Sequence, residues 1–186
     1  TLFVCYITVK RINTPAIWVA LYWIIMLFTS FNAVAKSFMN ESRSRMLYLY
    51  TLTGPSHFIA AKMIYHALIM LILSGIAITV YTTFFQIAIG DHFMFYTSVF
   101  LGSTGLAIIL SLLSTIASKA GNNLTLLAIL GLPILLPLLL VTITLMKNAI
   151  DGIDLSVQYK YLFVLFGLNL SSLGLSVVLF PYLWRE

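Results

Sequence analysis

Three histidines, one cysteine and three aspartates are the side chains of this chain best suited to chemistry. His66 lies in an apolar run and reads as a packed or interfacial histidine rather than a ligand. His57, beside Pro55, reads as a helix-start or interface residue. His92 sits in the turn Gly90-Asp91-His92; it has metal-ligand chemistry but no partner at ligand spacing. Cys5 is alone, so neither a disulfide framework nor a paired-thiol metal site is expected. Asp151 and Asp154 stand three apart in a polar stretch and read as solvated. The sequence shows no nucleophile–base arrangement, no Gly-rich phosphate loop and no paired-carboxylate site. No catalytic, cofactor-binding or metal-ligating residue is assigned.

The elements that hold these residues are apolar. Of 186 residues, 61% are hydrophobic and 8% are charged, and the mean hydropathy is +1.06. Soluble domains carry roughly 25% charged residues. So few polar groups cannot cover a water-facing surface, and the fold class is an all-α, polytopic transmembrane helical bundle. The net charge of +5 fits juxtamembrane anchoring. It does not form a basic patch with interleaved aromatics, so nucleic acid is not a partner.

Phe31–Lys62 alone alternates charge and apolar residues at helical spacing over a long run. Phe38, Met46, Leu47, Leu49, Tyr50 and Leu52 form an apolar stripe. Lys36, Glu41, Arg43 and Arg45 form a charged face, and Gly54-Pro55 ends the run. Such a segment does not span a bilayer. It fits a helix on the membrane surface, or an elbow over about 36–56 that touches a partner.

Around the elbow the chain reads as spans. Thr1–Val9 is apolar but shorter than the ~20 residues a crossing needs; the expectation is the tail of a helix whose beginning is absent. Lys10–Thr14 is a polar loop, with Thr14 as N-cap and Pro15 in a first turn. Complete spans are expected over about 15–35, 57–87, 93–118, 124–146 and 161–184. Trp18, Tyr22 and Trp23 are placed as an interfacial aromatic belt. Ser56 is placed as the cap of the second span, which is long enough to tilt or to kink near Gly75. Residues 119–123 form a tight loop and 147–160 a polar one. The whole is a single domain, residues 1–186, with five complete spans plus a remnant.

Orientation follows from the basic residues. One side holds Lys36, Arg43, Arg45, Lys62, Lys119 and Arg185; the other holds Lys10, Arg11, Lys147 and Lys160. The richer side is assigned to the cytoplasm, together with the elbow and the C-terminus. The spans are nearly free of ionisable groups, which argues against ion coupling or a proton relay.

Two spans carry small-residue stripes. Ser103, Ala107, Ser111 and Thr115 recur every fourth residue, with Gly102 and Gly105 alongside. Gly167, Ser171 and Gly174 do the same in the last span, near Asn169, Ser172 and Ser176. Each stripe permits close backbone approach, either within the subunit or at a subunit interface or lateral cleft. Pro133 and Pro137 each lack an N–H and oppose the carbonyl four residues back. A static kink, a moving hinge or two short half-helices are the alternatives there.

The run FNAVAKSFMNESRSRMLYLYTLTGPSHFIAAK, followed by LGSTGLAIILSLLSTIASKAGNNLTLLAILGLPILLPLLL, resembles the CcmB family, the haem exporter B proteins of cytochrome c maturation. Phe38-x-x-Glu41, Pro55, LGxxGL at Leu101–Leu106 and LPxxxP at Leu132–Pro137 carry the resemblance, which covers nearly the whole chain. Arg43, Ser44 and Arg45 stand where family members often have acidic residues and a glycine.

The resemblance implies an ABC-2/CcmB-like permease of six helices in the bacterial inner membrane. Implied partners are a cytoplasmic ABC ATPase (CcmA-like), CcmC-like and CcmD-like membrane proteins, the haem chaperone CcmE-like protein, and a possible homodimer. ATP would bind the ATPase subunit. Haem would be handled by the complex, with its ligation mainly on the CcmC-like and CcmE-like members, so no cofactor is expected on this chain. The elbow residues Phe38, Glu41, Arg43, Arg45, Met46, Leu47 and Tyr50 would meet the ATPase. Alternatives are an ABC-2-type exporter permease for a lipid or other small molecule, and a non-transporting assembly scaffold.

Overall fold

The computed structural model describes residues 15–35, 55–85, 89–119 and 124–184. Among them are five helices: α1 (Pro15–Ser30), α2 (Pro55–Phe85), α3 (His92–Lys119), α4 (Leu124–Asp151) and α5 (Leu155–Trp184). A π-helical segment, Phe31–Ala35, continues α1. All five helices are long and apolar enough to cross a membrane. In lipid an α-helix satisfies its own backbone groups, so apolar sequence of this length takes that form. The chain is a multi-pass membrane protein.

α3 is the hub. In its span 72% of the residues are buried, against 33% or less in each other span. The other four helices pack around it and leave their outer faces to lipid: Phe28, Ile72, Leu140 and Phe163 are all more than half exposed.

The two helix starts after Thr14 and Gly54 are both proline. Pro55 is the first residue of α2, where a missing N–H costs nothing and the fixed φ suits the turn. Ser56 is therefore inside the helix and is not its cap. α2 runs unbroken past Gly75.

Three side chains return to the backbone around the start of the π segment. Thr29 Oγ1 donates to the carbonyl of Ile25 at 2.8 Å, Ser30 Oγ to Leu27 at 2.6 Å and Asn32 Nδ2 to Phe28 at 3.0 Å. Thr79, Thr82 and Thr83 make the same kind of back-bond within the unbroken α2, so these bonds accompany the π segment without accounting for it.

Trp18, Tyr22 and Trp23 are not an interfacial belt. Tyr22 and Trp23 are fully buried, and Trp18 packs against the same core. Tyr22 and Tyr81 meet edge to face at 5.7 Å, and Trp18 and Tyr81 at 6.1 Å. Tyr81 Oη donates to the Trp18 carbonyl at 2.5 Å. The hydroxyls find backbone acceptors across the α1–α2 seam, so the rings bury without a stranded Tyr O–H. Each aromatic pair adds about 0.5–1.5 kcal/mol beyond the area it buries.

The polar stretch 147–160 is mostly helix, not loop. α4 continues to Asp151, supported by an ion pair between Lys147 and Asp151 at 3.7 Å, one turn apart. Gly152 takes φ +65°, and Ile153 N–H returns to the Asn148 carbonyl at 3.1 Å. That 6→1 bond at a left-handed glycine is a Schellman cap. α5 starts at once, with the Asp154 carbonyl accepting from Val157 at 3.0 Å. Asp151 and Asp154 are both exposed, as expected of solvated carboxylates; Asp151 adds the surface ion pair to Lys147.

The α2–α3 turn locks onto the same cap. Gly90 N–H donates to Ile150 O at 3.2 Å and Asp91 N–H to Ala149 O at 2.8 Å. These bonds satisfy carbonyls that the end of α4 leaves without intrahelical donors. Asp91 in turn caps α3, its Oδ1 accepting from Met94 N–H at 3.2 Å. A Cβ on Gly90 would lie 2.8 Å from Gly152 Cα, so only glycine permits the approach.

Candidate functional site

The coupling residues expected in the elbow, Phe38, Glu41, Arg43, Arg45, Met46, Leu47 and Tyr50, lie outside the described residues. The structure gives what adjoins them: the π segment that ends the α1 side, and the α2 start at Pro55. Val34, in the π segment, is fully buried, and the segment packs against α3. The described helices on both sides of residues 36–54 therefore pack on the hub.

On the hub, Leu101–Leu106 acts as a socket with two notches. A Cβ at Gly102 would collide with the Trp23 ring of α1. A Cβ at Gly105 would collide with Asn169 Oδ1 of α5 and lie 2.8 Å from Leu138 Cδ1 of α4. Asn169 Nδ2 donates to the Leu101 carbonyl at 2.9 Å. Among the described residues its Oδ1 has no hydrogen-bond partner, nor has Nε1 of the buried Trp23. Oδ1 sits where the Cα–H of Gly105 points, the arrangement of a weak Cα–H···O contact between helices. Two glycines thus admit three other helices to one stretch of α3.

Ser103, Ala107 and Ser111 are buried along α3. Ser103 Oγ returns to its own helix, donating to Val99 O at 2.6 Å. Ser111 does more. Its hydroxyl donates to Ala107 O at 2.6 Å, and its oxygen lies 2.8 Å from Nδ1 of His66 on α2. His66 is fully buried. A hydroxyl has one proton; with that proton on Ala107 O, Nδ1–H is the donor to Ser111 Oγ. The hydrogen-bond network assigns this tautomer.

The last-span stripe behaves differently. Nothing lies within 4 Å of a Cβ placed on Gly167 or Gly174, and Ser171 is exposed, its hydroxyl turned back to Leu168 O at 2.9 Å. These residues do not pack against another described helix. The buried side of α5 is instead Leu165, Asn169, Ser172 and Ser176. Pro133 and Pro137 lie within one continuous α4, on its exposed side. Two short half-helices are thereby excluded.

The remaining chemistry-bearing residues separate. His57 and His92 are exposed; His57 lies nine residues before His66 on α2, and His92 opens α3. Among the described residues no group of three His, Cys, Asp or Glu side chains could hold a metal ion. Sequence reading missed Trp23 and Asn169 as contacts of the hub. The available signals were the three-residue spacing of Gly102 and Gly105, and an amide inside a leucine-rich span.

The arrangement is a central helix notched for its neighbours, packed against the helices on either side of residues 36–54. The family model for the CcmB protein matches residues 8–182. No curated protein and no solved structure matches the chain. The match takes in the elbow, the hub and the proline-bearing helix together, and the chain belongs to the CcmB family, the membrane permease subunits of the ABC-type haem exporter of cytochrome c biogenesis.

Proposed function

We propose that this chain converts ATP-driven closure of a separate, CcmA-like ATPase into release of a haem-loaded, CcmE-like chaperone at the outer face of the bacterial inner membrane. CcmC-like and CcmD-like proteins complete the complex. The elbow, Phe38 to Leu52, is the surface that the ATPase pushes, on the cytoplasmic side with the C-terminus. The push moves α1 and α2, and Pro133 and Pro137 absorb part of it. The chain does conformational work, and ATP hydrolysis resides in the partner.

Family membership over residues 8–182 carries this reading. The two helices that flank the elbow support it, since both pack on α3. Aromatic, Met and Arg side chains in the elbow are types enriched at protein interfaces.

Reversing charge at Glu41 and Arg45 together is the test. In the reconstituted complex this variant is expected to hydrolyse ATP and stay assembled while chaperone release stops following hydrolysis. Coupling equal to wild type would remove the elbow from the mechanism. Release that persists with a catalytically disabled ATPase would favour the scaffold reading.

A further inference from the structure

We infer that the His66–Ser111 hydrogen bond is the pin through which motion of α2 is handed to α3. The inference rests on the proposed coupling role. It adds the pair of positioning residues that would carry the motion past the elbow.

The bond joins the two helices that matter for transmission. α2 begins at Pro55, directly after the elbow, and His66 lies about 16 Å further along its axis at 1.5 Å per residue. Ser111 is on α3, the helix that also receives Trp23, Leu138 and Asn169. Movement that reaches α3 therefore reaches α1, α4 and α5.

The geometry makes the bond a register lock. Leucine-on-leucine packing in lipid tolerates sliding, because one apolar contact replaces another and lipid tails compete equally well. A 2.8 Å hydrogen bond does not survive a slide of an ångström or two. Both partners are fully buried, so water is not at hand to replace either. Ser111 is itself held by Ala107 O, and its carbonyl accepts from Ser114 Oγ at 3.1 Å and Thr115 Oγ1 at 2.8 Å. The acceptor is fixed to the α3 backbone and cannot follow His66. On α2, Lys62 sits one turn before His66 on the same face, at the elbow end. A histidine inside a span with a fixed partner marks function more often than decoration.

The experiment uses the assembled complex with its ATPase and reads chaperone released per ATP hydrolysed. His66→Ala and Ser111→Ala are each expected to lower that ratio roughly three- to tenfold, the range an interhelical hydrogen bond in a membrane can set. ATPase rate should hold. The double variant should be no worse than either single one, since both remove the same bond. His66→Asn should restore most of the ratio, because Nδ2 of asparagine occupies the place of Nδ1 and can donate. If His66→Ala fails to assemble, Ser111→Ala decides alone. A wild-type ratio in Ser111→Ala, additive losses in the double variant, or His66→Asn as poor as His66→Ala would each overturn the pin. Loss of thermal stability with an unchanged ratio would reduce it to a structural staple and overturn it too. Failure of the coupling reading itself would show separately, as wild-type coupling in the elbow charge-reversal variant.

Discussion

Trp23 and Gly102 set the finest constraint in the bundle. The indole fills the space of a missing side chain, and neither partner can retreat: Trp23 is 0% exposed. Gly102→Ala is expected to destabilise the protein by about 1–3 kcal/mol, the usual cost of overpacking. Thermal unfolding in detergent measures it. Adding Trp23→Leu should recover part of the loss, and no recovery would show that the two do not share a notch. Legibility at this scale was mixed. Gly102, Gly105, Ser103, Ala107 and Ser111 stand out in sequence as small residues on one helix. Which helix fills each notch does not. Trp18, Tyr22 and Trp23 near a span start have the same spacing whether they face headgroups or a neighbour. Tyr81, more than fifty residues away, decides between the two, and no local rule reaches that far.

At the scale of elements, the spans were legible because lipid imposes one solution on apolar runs of this length. Their ends were not. Residues 147–160 have the composition of a loop, yet only Gly152–Asp154 lies outside helix. The cap depends on Gly152 taking a positive φ and on Gly90 arriving from another turn. Gly90→Ala tests this junction. Its Cβ would meet Gly152 backbone atoms at 2.8 and 2.9 Å, and backbone cannot yield as a flexible side chain does. The bonds from residues 90 and 91 to 149 and 150 should weaken. Amide exchange at Gly90, Asp91 and Ile153 should speed up about tenfold, the equivalent of ~1.4 kcal/mol in local opening. Unchanged exchange would mean that the junction is incidental to the cap. The π segment was likewise invisible, because Thr and Ser at similar spacing also sit in unbroken α-helix, as at Thr79, Thr82 and Thr83.

At the scale of the molecule, the division of labour is between a hub and its satellites. α3 is polar-tinged, notched and buried. α5 is largely lipid-facing and turns a smooth stripe of Gly167, Ser171 and Gly174 outward. The family was readable from the sequence because its motifs, Phe38-x-x-Glu41, Leu101–Leu106 and Leu132–Pro137, sit at the elbow, on the hub and on the proline helix. The packing that joins those places became clear only with the helices assembled.

The Gly90–Gly152 stitch has a last consequence. It ties α3 to α4, and through a three-residue link to α5, at the end of the bundle remote from the elbow. α4 and α5 are joined in the chain only at this end, so they can swing like the arms of tongs with the stitch as their fulcrum. A 30-residue arm is about 45 Å long at 1.5 Å per residue, so a swing of only ~5° displaces its far tip by roughly 4 Å. Spin-label pairs on α4 and α5 should then report ATP-dependent distance changes that grow steadily from the fulcrum towards the elbow. Equal changes at both tips would mean that the arms translate and that nothing pivots.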